Sequence, residues 1–212
     1  MKEKILIIDH IDKSFIEDLE GYQCVDGISL SRQEILDIVP DFQGIEIRSR
    51  IRIDREFLDK AVNLKFIARA GAGMESIDEE YAKNKGIVCL NAPEGNRDAV
   101  GEHALAMLLG LFNKLCVADK EVREGKWNRE ANRGVELGGK TVGVIGYGNM
   151  GSAFAKKLKG FNVELLAYDK YKSGFSDEYV TESNMDKIFN EADVVSLHIP
   201  LTEETNYLVN KE

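Results

Sequence analysis

The chain has 212 residues, 28 Lys and Arg against 37 Asp and Glu, a formal charge of −9, and 43% apolar residues. That length allows one large domain or two small ones, each with its own core, and the apolar share excludes a disordered tail. The acid excess excludes a general nucleic-acid binder, which needs a basic surface against phosphates.

In chain order, Ile5–Ile8 predicts a strand and Asp12–Glu20 a helix start closed by Gly21. Gln23–Val25 is a weak strand. Ser31–Val39 is a helix with Ser31 as N-cap and Glu34 three places on, a capping box. Strand Ile45–Arg48, helix Asp54–Val62, strand Lys65–Arg69, helix Ile77–Asn84 and strand Ile87–Leu90 follow. Strands alternating with short helices imply a parallel sheet, wound on both faces.

After Pro93 the pattern changes. Asp98 to about Val122 predicts one long helix, apolar almost all round through Ala104–Leu115, and so buried between domains or in a dimer interface. Arg123–Gly139 is a polar connection in which Trp127 is expected to anchor the loop. The alternation then restarts with strand Thr141–Ile145, helix Ser152–Lys159, strand Val163–Tyr168, helix Met185–Asn190 and strand Val194–His198.

No membrane span is predicted. The longest apolar run, Ala104 to Phe112, is nine residues, against the roughly 20 that cross a bilayer. The N-terminus has too short an apolar stretch before Asp9 for a signal peptide. Cys24, Cys89 and Cys116 are odd in number and widely spaced, which points to buried filler, a cytoplasmic setting and no metal site.

The sharpest signal is Gly146-Tyr147-Gly148-Asn149-Met150-Gly151. It follows an apolar strand and opens a helix, and the next strand ends in Asp169. Gly146 permits the tight turn, Gly148 lets backbone approach a pyrophosphate, and Gly151 allows close helix–strand packing. Amides around Asn149 and Met150 meet the anion at the positive end of the helix. Asp169 accepts from the adenosine ribose hydroxyls and repels a 2′-phosphate, so NAD is favoured over NADP. Lys170 beside it blurs that choice.

Five of the ten arginines, Arg48, Arg50, Arg52, Arg55 and Arg69, fall between residues 48 and 69. Guanidinium suits phosphate because its fork donates two hydrogen bonds at once. Arg48 and Arg69 lie at strand ends and are the candidates for a phosphorylated substrate. Gly71–Gly73 is the turn at the C-terminal end of its strand, where open parallel sheets place ligands.

These residues together resemble the D-isomer-specific 2-hydroxyacid dehydrogenase family, and within it the phosphoglycerate dehydrogenases. The resemblance rests on Arg48-Ser49, on Arg69 to Met74 followed by Ile77-Asp78, and on Asn91 to Asn96. It continues through Gly101-Glu102-His103-Ala104, Gly125-Lys126-Trp127, the glycine loop with Asp169, and Ala192 to Thr202. It implies an α/β fold of two doubly wound parallel-sheet domains. Residues 1–95 would be a flavodoxin-like substrate domain and 96–212 a Rossmann NAD domain, incomplete in this chain.

The resemblance also implies roles. Substrate carboxylate would meet amides of Ala72, Gly73 and Met74, with Gly71 and Gly73 permitting a nest of N–H groups. NAD would touch Ala72, Asn149, Met150, Asp169 and Ile199, with His198 and Pro200 shaping the adenosine wall. Glu102 and His103 would pack rather than catalyse, and the partner would be a second copy of the chain.

The family's catalytic Arg, Glu and His belong downstream of the match to Leu201–Asn210, so no catalytic residue is assigned here. The chain is expected to be part of a longer protein and inactive alone. Thr141–Ile145 is accordingly expected as an open sheet edge. The implied function is NAD-linked oxidation of a D-2-hydroxy acid, 3-phosphoglycerate in serine synthesis. The alternatives are a glycerate or glyoxylate (hydroxypyruvate) reductase and a non-catalytic NAD(H)-binding regulator.

Overall fold

The structure, a computed structural model, describes residues 2–210. Contacts divide the chain into two units, Met1–Asn96 and Arg97–Glu212.

In the first unit, five strands form one parallel sheet: β1 (Lys4–Ile7), β2 (Gln23–Asp26), β3 (Gly44–Ile47), β4 (Phe66–Arg69) and β5 (Val88–Asn91). Their order, β2-β1-β3-β4-β5, is that of a flavodoxin-like doubly wound sheet. Helices α1 (Lys13–Glu17), α2 (Arg32–Ile38), α3 (Arg55–Lys60) and α4 (Glu79–Asn84) connect them. Each start is set by an oxygen cap. Asp12, Ser31, Asp54 and Asp78 accept from first-turn amides, and Ser31 with Glu34 closes the capping box.

The core lies on one face of that sheet. Leu6, Ile8, Ile45, Ile47 and Ile67 from the strands meet Ile35, Leu36, Phe57, Leu58 and Ala82 from α2, α3 and α4. Each of the buried Leu, Ile and Phe side chains contributes about 1.5–3 kcal/mol. On the opposite face Ile5 and Ile7 are also buried, and with them, in register with Ile7, Glu46, a carboxylate only 1% exposed.

In the second unit, β6 (Thr141–Ile145), β7 (Glu164–Tyr168), β8 (Val180–Glu182) and β9 (Val194–Leu197) form a parallel sheet in the order β8-β7-β6-β9. This is the first four strands, 3-2-1-4, of the Rossmann order. Helices α5 (Arg97–Phe112), α6 (Leu115–Arg123), α7 (Asn149–Leu158) and α8 (Met185–Glu191) complete the unit. Val142 and Val144 face Phe154, Ala155 and Leu158 of α7, while Ile145 and Leu166 face Ile188 of α8.

Four expectations are corrected. First, β6 is not an edge. β9 pairs with it in parallel from Val142–Val194 to Ile145–Leu197, so Val194–Leu197 is itself the fourth strand and β9 is the open edge. Second, the long helix is two, meeting at 60°, because Lys114 enters the left-handed region at φ 50°.

Third, within one chain this helix pair is not buried on several sides, so of the two places expected for it only an interface between copies would cover it. Gly101 and Leu108 are its buried positions in α5, whereas Met107 (59% exposed), Leu111 (74%) and Leu115 (63%) face outward. No single described helix is long and apolar enough to cross a membrane. Fourth, Trp127 anchors nothing within the described residues, being 82% exposed. Strand β8 was unforeseen: three residues between polar turns carry too little pattern to show in sequence.

Candidate functional site

In the second unit the glycine loop lies where β6 ends. Gly146 has φ +92°, a conformation L side chains rarely adopt, and a Cβ there would press on the His198 carbonyl. A Cβ on Gly151 would overlap the Gly146 carbonyl oxygen, so only glycine lets α7 come this close to the loop. Around Gly148 nothing stands within 4 Å of a Cβ position. That gap is large enough for a ligand to come against the backbone.

The amides complete it. The first helical bond of α7 runs from Ser152 N–H to the Gly148 carbonyl, 3.1 Å. No side chain caps this helix, so the amides of Asn149, Met150 and Gly151 emerge at its positive end without an intrahelical acceptor.

Asp169 follows β7 and is held by three amides. Oδ2 accepts from Tyr147 N–H (2.8 Å), and Oδ1 from Tyr171 (2.9 Å) and Lys172 (3.1 Å). These bonds fix the carboxylate beside the glycine loop. Tyr147 stacks on Phe175 with ring centroids 4.6 Å apart, tying the loop after β7 to the same place.

Past β9, His198 packs against Phe154 and bonds Ser196 Oγ through Nε2 at 2.9 Å. Burial pushes its imidazole below the ordinary range, which suits a wall and not a proton donor. Ile199 and Pro200 line an apolar hollow of about 370 Å³ with Leu197, Leu201 and Tyr207. A separate cavity of about 260 Å³, bounded by Arg97, Tyr147, Ser152 and Lys156, contains none of the predicted cofactor residues. The glycine loop fits a dinucleotide as an open cradle.

In the first unit, a cavity of about 340 Å³ opens at the C-terminal end of the sheet. His10, Arg48, Ala70, Gly71, Ala92 and Asn96 bound it. His10, which follows β1, the strand beside β3, lies at the cleft where its place after the first strand puts it, although no role follows from the sequence. Arg69 turns to the Arg48 carbonyl (Nε, 2.8 Å) and to Glu75 (3.4 Å), so it positions Arg48 from behind.

The other three arginines do not join this group. Arg50 spends its guanidinium on the carbonyls of Ile8, Gly27 and Leu30, at 2.6–3.1 Å. Arg55 pairs with Asp78, and the carbonyl of Arg52 takes a bond from Arg32. Asp9 organises the strand end instead, accepting from the amides of Arg48 (2.6 Å), Ser49 and Arg50.

The turn after β4 also differs in detail. Neither Gly71 nor Gly73 has a positive φ, so the alternating geometry of an N–H nest is absent. Among the described residues, the amides of Ala72, Gly73 and Met74 still make no hydrogen bond. Asn91 Nδ2 fixes the Ala72 carbonyl at 2.6 Å, and Met74 packs on the core. Glu102 pairs with Lys157, 3.0 Å, and Gly101 brings α5 against the backbone of α7, so this segment is a packing device.

The sequence profile for the NAD-binding domain of the D-isomer specific 2-hydroxyacid dehydrogenases matches residues 105–212. A D-3-phosphoglycerate dehydrogenase of Synechocystis is 41% identical over 99% of this chain and 38% of its own length. A hydroxypyruvate reductase of Thermotoga maritima is 36% identical over 99% of this chain and 69% of its own. The apo structure of D-lactate dehydrogenase from Escherichia coli, 30% identical, superposes with a TM-score of 0.77 over 98% of this chain and 68% of that one. The chain thus spans about two fifths of the phosphoglycerate dehydrogenase it matches. It belongs to the D-isomer specific 2-hydroxyacid dehydrogenase family and carries that family's NAD-binding domain.

Proposed function

We propose that the protein is an NAD-linked dehydrogenase of a D-2-hydroxy acid, with 3-phosphoglycerate as substrate and serine synthesis as its setting. The observation that carries this reading is Arg48 at the mouth of the first unit's cavity, braced from behind by Arg69. The name of the Synechocystis relative supports it. A hydroxypyruvate reductase is the second reading, favoured by the larger share of the Thermotoga relative that this chain covers.

NAD, when bound, takes up a hydride from the substrate. The chain's own residues hold and sort it. Amides of Asn149 and Met150 receive the pyrophosphate, Asp169 receives the ribose hydroxyls, and His198, Ile199 and Pro200 wall the adenosine. In the first unit the free amides of Ala72, Gly73 and Met74 receive the substrate carboxylate, while Arg48 receives the phosphate.

The test is substrate-dependent NADH formation by the full-length protein, with and without Arg48→Ala. A hydrogen bond to a charged group is worth about 1.5–3 kcal/mol. The KM for 3-phosphoglycerate therefore rises about tenfold or more, and the KM for NAD stays within about twofold. Equal effects on both, or faster turnover of hydroxypyruvate in a substrate panel, would displace 3-phosphoglycerate.

The apolar face of α5 and α6 supports a homodimer. Met107, Leu111, Leu115 and Val117 are all more than half exposed, a patch that water penalises until a second copy covers it. Sedimentation is expected to return the mass of two chains, and Leu111→Lys that of one. A wild-type mass of one chain removes the dimer.

A further inference from the structure

We propose that Glu204 is a specificity-determining residue of the dinucleotide site: it binds Lys170 and so withdraws that cation from a 2′-phosphate, reinforcing the choice of NAD. The inference rests on the NAD-binding assignment and deepens it.

Topology puts the two residues on either side of the site. β7 and β9 flank β6, so the loop after β7 and the segment after β9 flank the glycine loop. Lys170 lies on the first, directly after Asp169, and Glu204 on the second. Their side chains form an ion pair, Lys170 Nζ to Glu204 Oε1, that joins the two flanks.

Glu204 is not on a loose tether. Thr202 N–H donates to Thr205 Oγ1 at 2.8 Å and Thr205 N–H returns a bond to Thr202 Oγ1 at 3.2 Å. Thr205 Oγ1 also donates to the Pro200 carbonyl at 2.6 Å. The turn that carries Glu204 is therefore closed on itself, beside the wall formed by Ile199 and Pro200. The other cation of the loop, Lys172, is likewise engaged, donating to the Tyr147 carbonyl at 3.3 Å.

The charge pattern follows. A bare Lys170 next to Asp169 would offer an adenosine 2′-phosphate one cation against one carboxylate. With Glu204 in place the Lys170 charge is balanced by its partner and Lys172 is held at the Tyr147 carbonyl, so the field the ribose meets is set by the Asp169 carboxylate. A 2′-hydroxyl donates into that field, whereas a phosphate dianion is repelled by it.

Both partners are half-exposed or more, so the effect is bounded by solvent and sensitive to salt. The test uses AMP and adenosine 2′,5′-bisphosphate as probes, titrated calorimetrically into the protein and its variants, and needs no turnover. Glu204→Gln is expected to shift the ratio of the two affinities about fivefold toward the bisphosphate at low ionic strength. Glu204→Lys should shift it further. Adding Lys170→Ala to Glu204→Gln returns the ratio to within about twofold of wild type, as a coupled pair must.

An unchanged ratio, or a gain that survives Lys170→Ala, overturns the role of Glu204 while leaving the cofactor site intact. Failure of AMP to bind the wild type would remove the cofactor assignment and this inference together.

Discussion

Gly151→Ala is expected to abolish NADH binding and destabilise the second unit, and Gly148→Ala to abolish binding while leaving the unit as stable as before. The two glycines differ in what surrounds them. The Cβ of an alanine at 151 overlaps the Gly146 carbonyl and also stands 3.1 Å from Val144 Cγ1. Neither neighbour can retreat. Gly146 N–H is bonded to the Tyr168 carbonyl at 2.8 Å, and Val144 is fully buried. α7 must then move outward and carry the amides of Asn149 and Met150 with it. Overpacking of this kind costs about 1–3 kcal/mol.

Gly148 has open space at its Cβ position and an extended backbone, φ −81°, which alanine adopts freely. Its substitution is therefore neutral for folding or stabilising by about 0.4–1 kcal/mol through the unfolded chain. The added methyl occupies the pyrophosphate cradle instead. Thermal melting and NADH fluorescence titration of both variants separate the effects: a lower Tm with lost binding at 151, and lost binding alone at 148. Tight NADH binding by Gly148→Ala would place the pyrophosphate elsewhere.

The contrast shows which parts of this molecule were legible from residues alone. Ser31 with Glu34, and Asp54 before its helix, announce helix starts because their signal is local: an oxygen three residues from the amide it caps. The glycine loop and Asp169 were legible for the same reason, since each glycine has a stated steric task. What failed to show depends on partners distant in sequence. Nothing in Asn113-Lys114 announces that Lys114 turns left-handed, and β8 exists because Leu165–Ala167 offers it an edge.

The arginines make the same point about the site. Five basic residues in one stretch suggest a phosphate patch, yet Arg50 is consumed by three carbonyls that converge only in the folded state. Arg69 becomes a brace and Arg48 alone of the five bounds the cavity. Composition measured the supply of cations, and packing decided how many were left for a ligand. Glu46 was hidden by its setting, a single acid inside the apolar run of β3.

Glu46 should make the first unit less stable as pH rises from about 5 to 8, and Glu46→Gln should remove that loss. Its two carboxylate oxygens find no hydrogen-bond partner among the described residues. Burial raises its pKa from the ordinary 4.5 to about 7; the Asp9 amide, near the carboxylate but outside hydrogen-bond geometry, opposes the rise, the Asp9 carboxylate adds to it, and Arg48 opposes it again. The folded state thus holds this proton more tightly than the unfolded chain. Below about pH 4.5 both states are protonated and the group carries no penalty. Between 4.5 and 7 the unfolded chain ionises first, and stability falls with every step of pH. Above 7 both are ionised, and the full cost, about 3 kcal/mol, is present.

Other carboxylates act in the opposite sense. Asp177 and Asp193, held low by the amides of Tyr179 and Thr141, add stability above the ordinary Asp range, and it is lost as pH falls through their depressed values. Asp12, Asp54 and Asp59 of the first unit are lowered as well, but all of these groups titrate below the ordinary Asp range, so their contribution is constant between pH 5 and 8 and the two trends separate by pH. Denaturant melts at pH 5 and pH 8 check the prediction. Wild type is expected to lose about 2.5 kcal/mol between them in the transition of the first unit, and Glu46→Gln less than about 1 kcal/mol. Equal losses in both proteins would mean that Glu46 finds a donor in solution that holds it ionised.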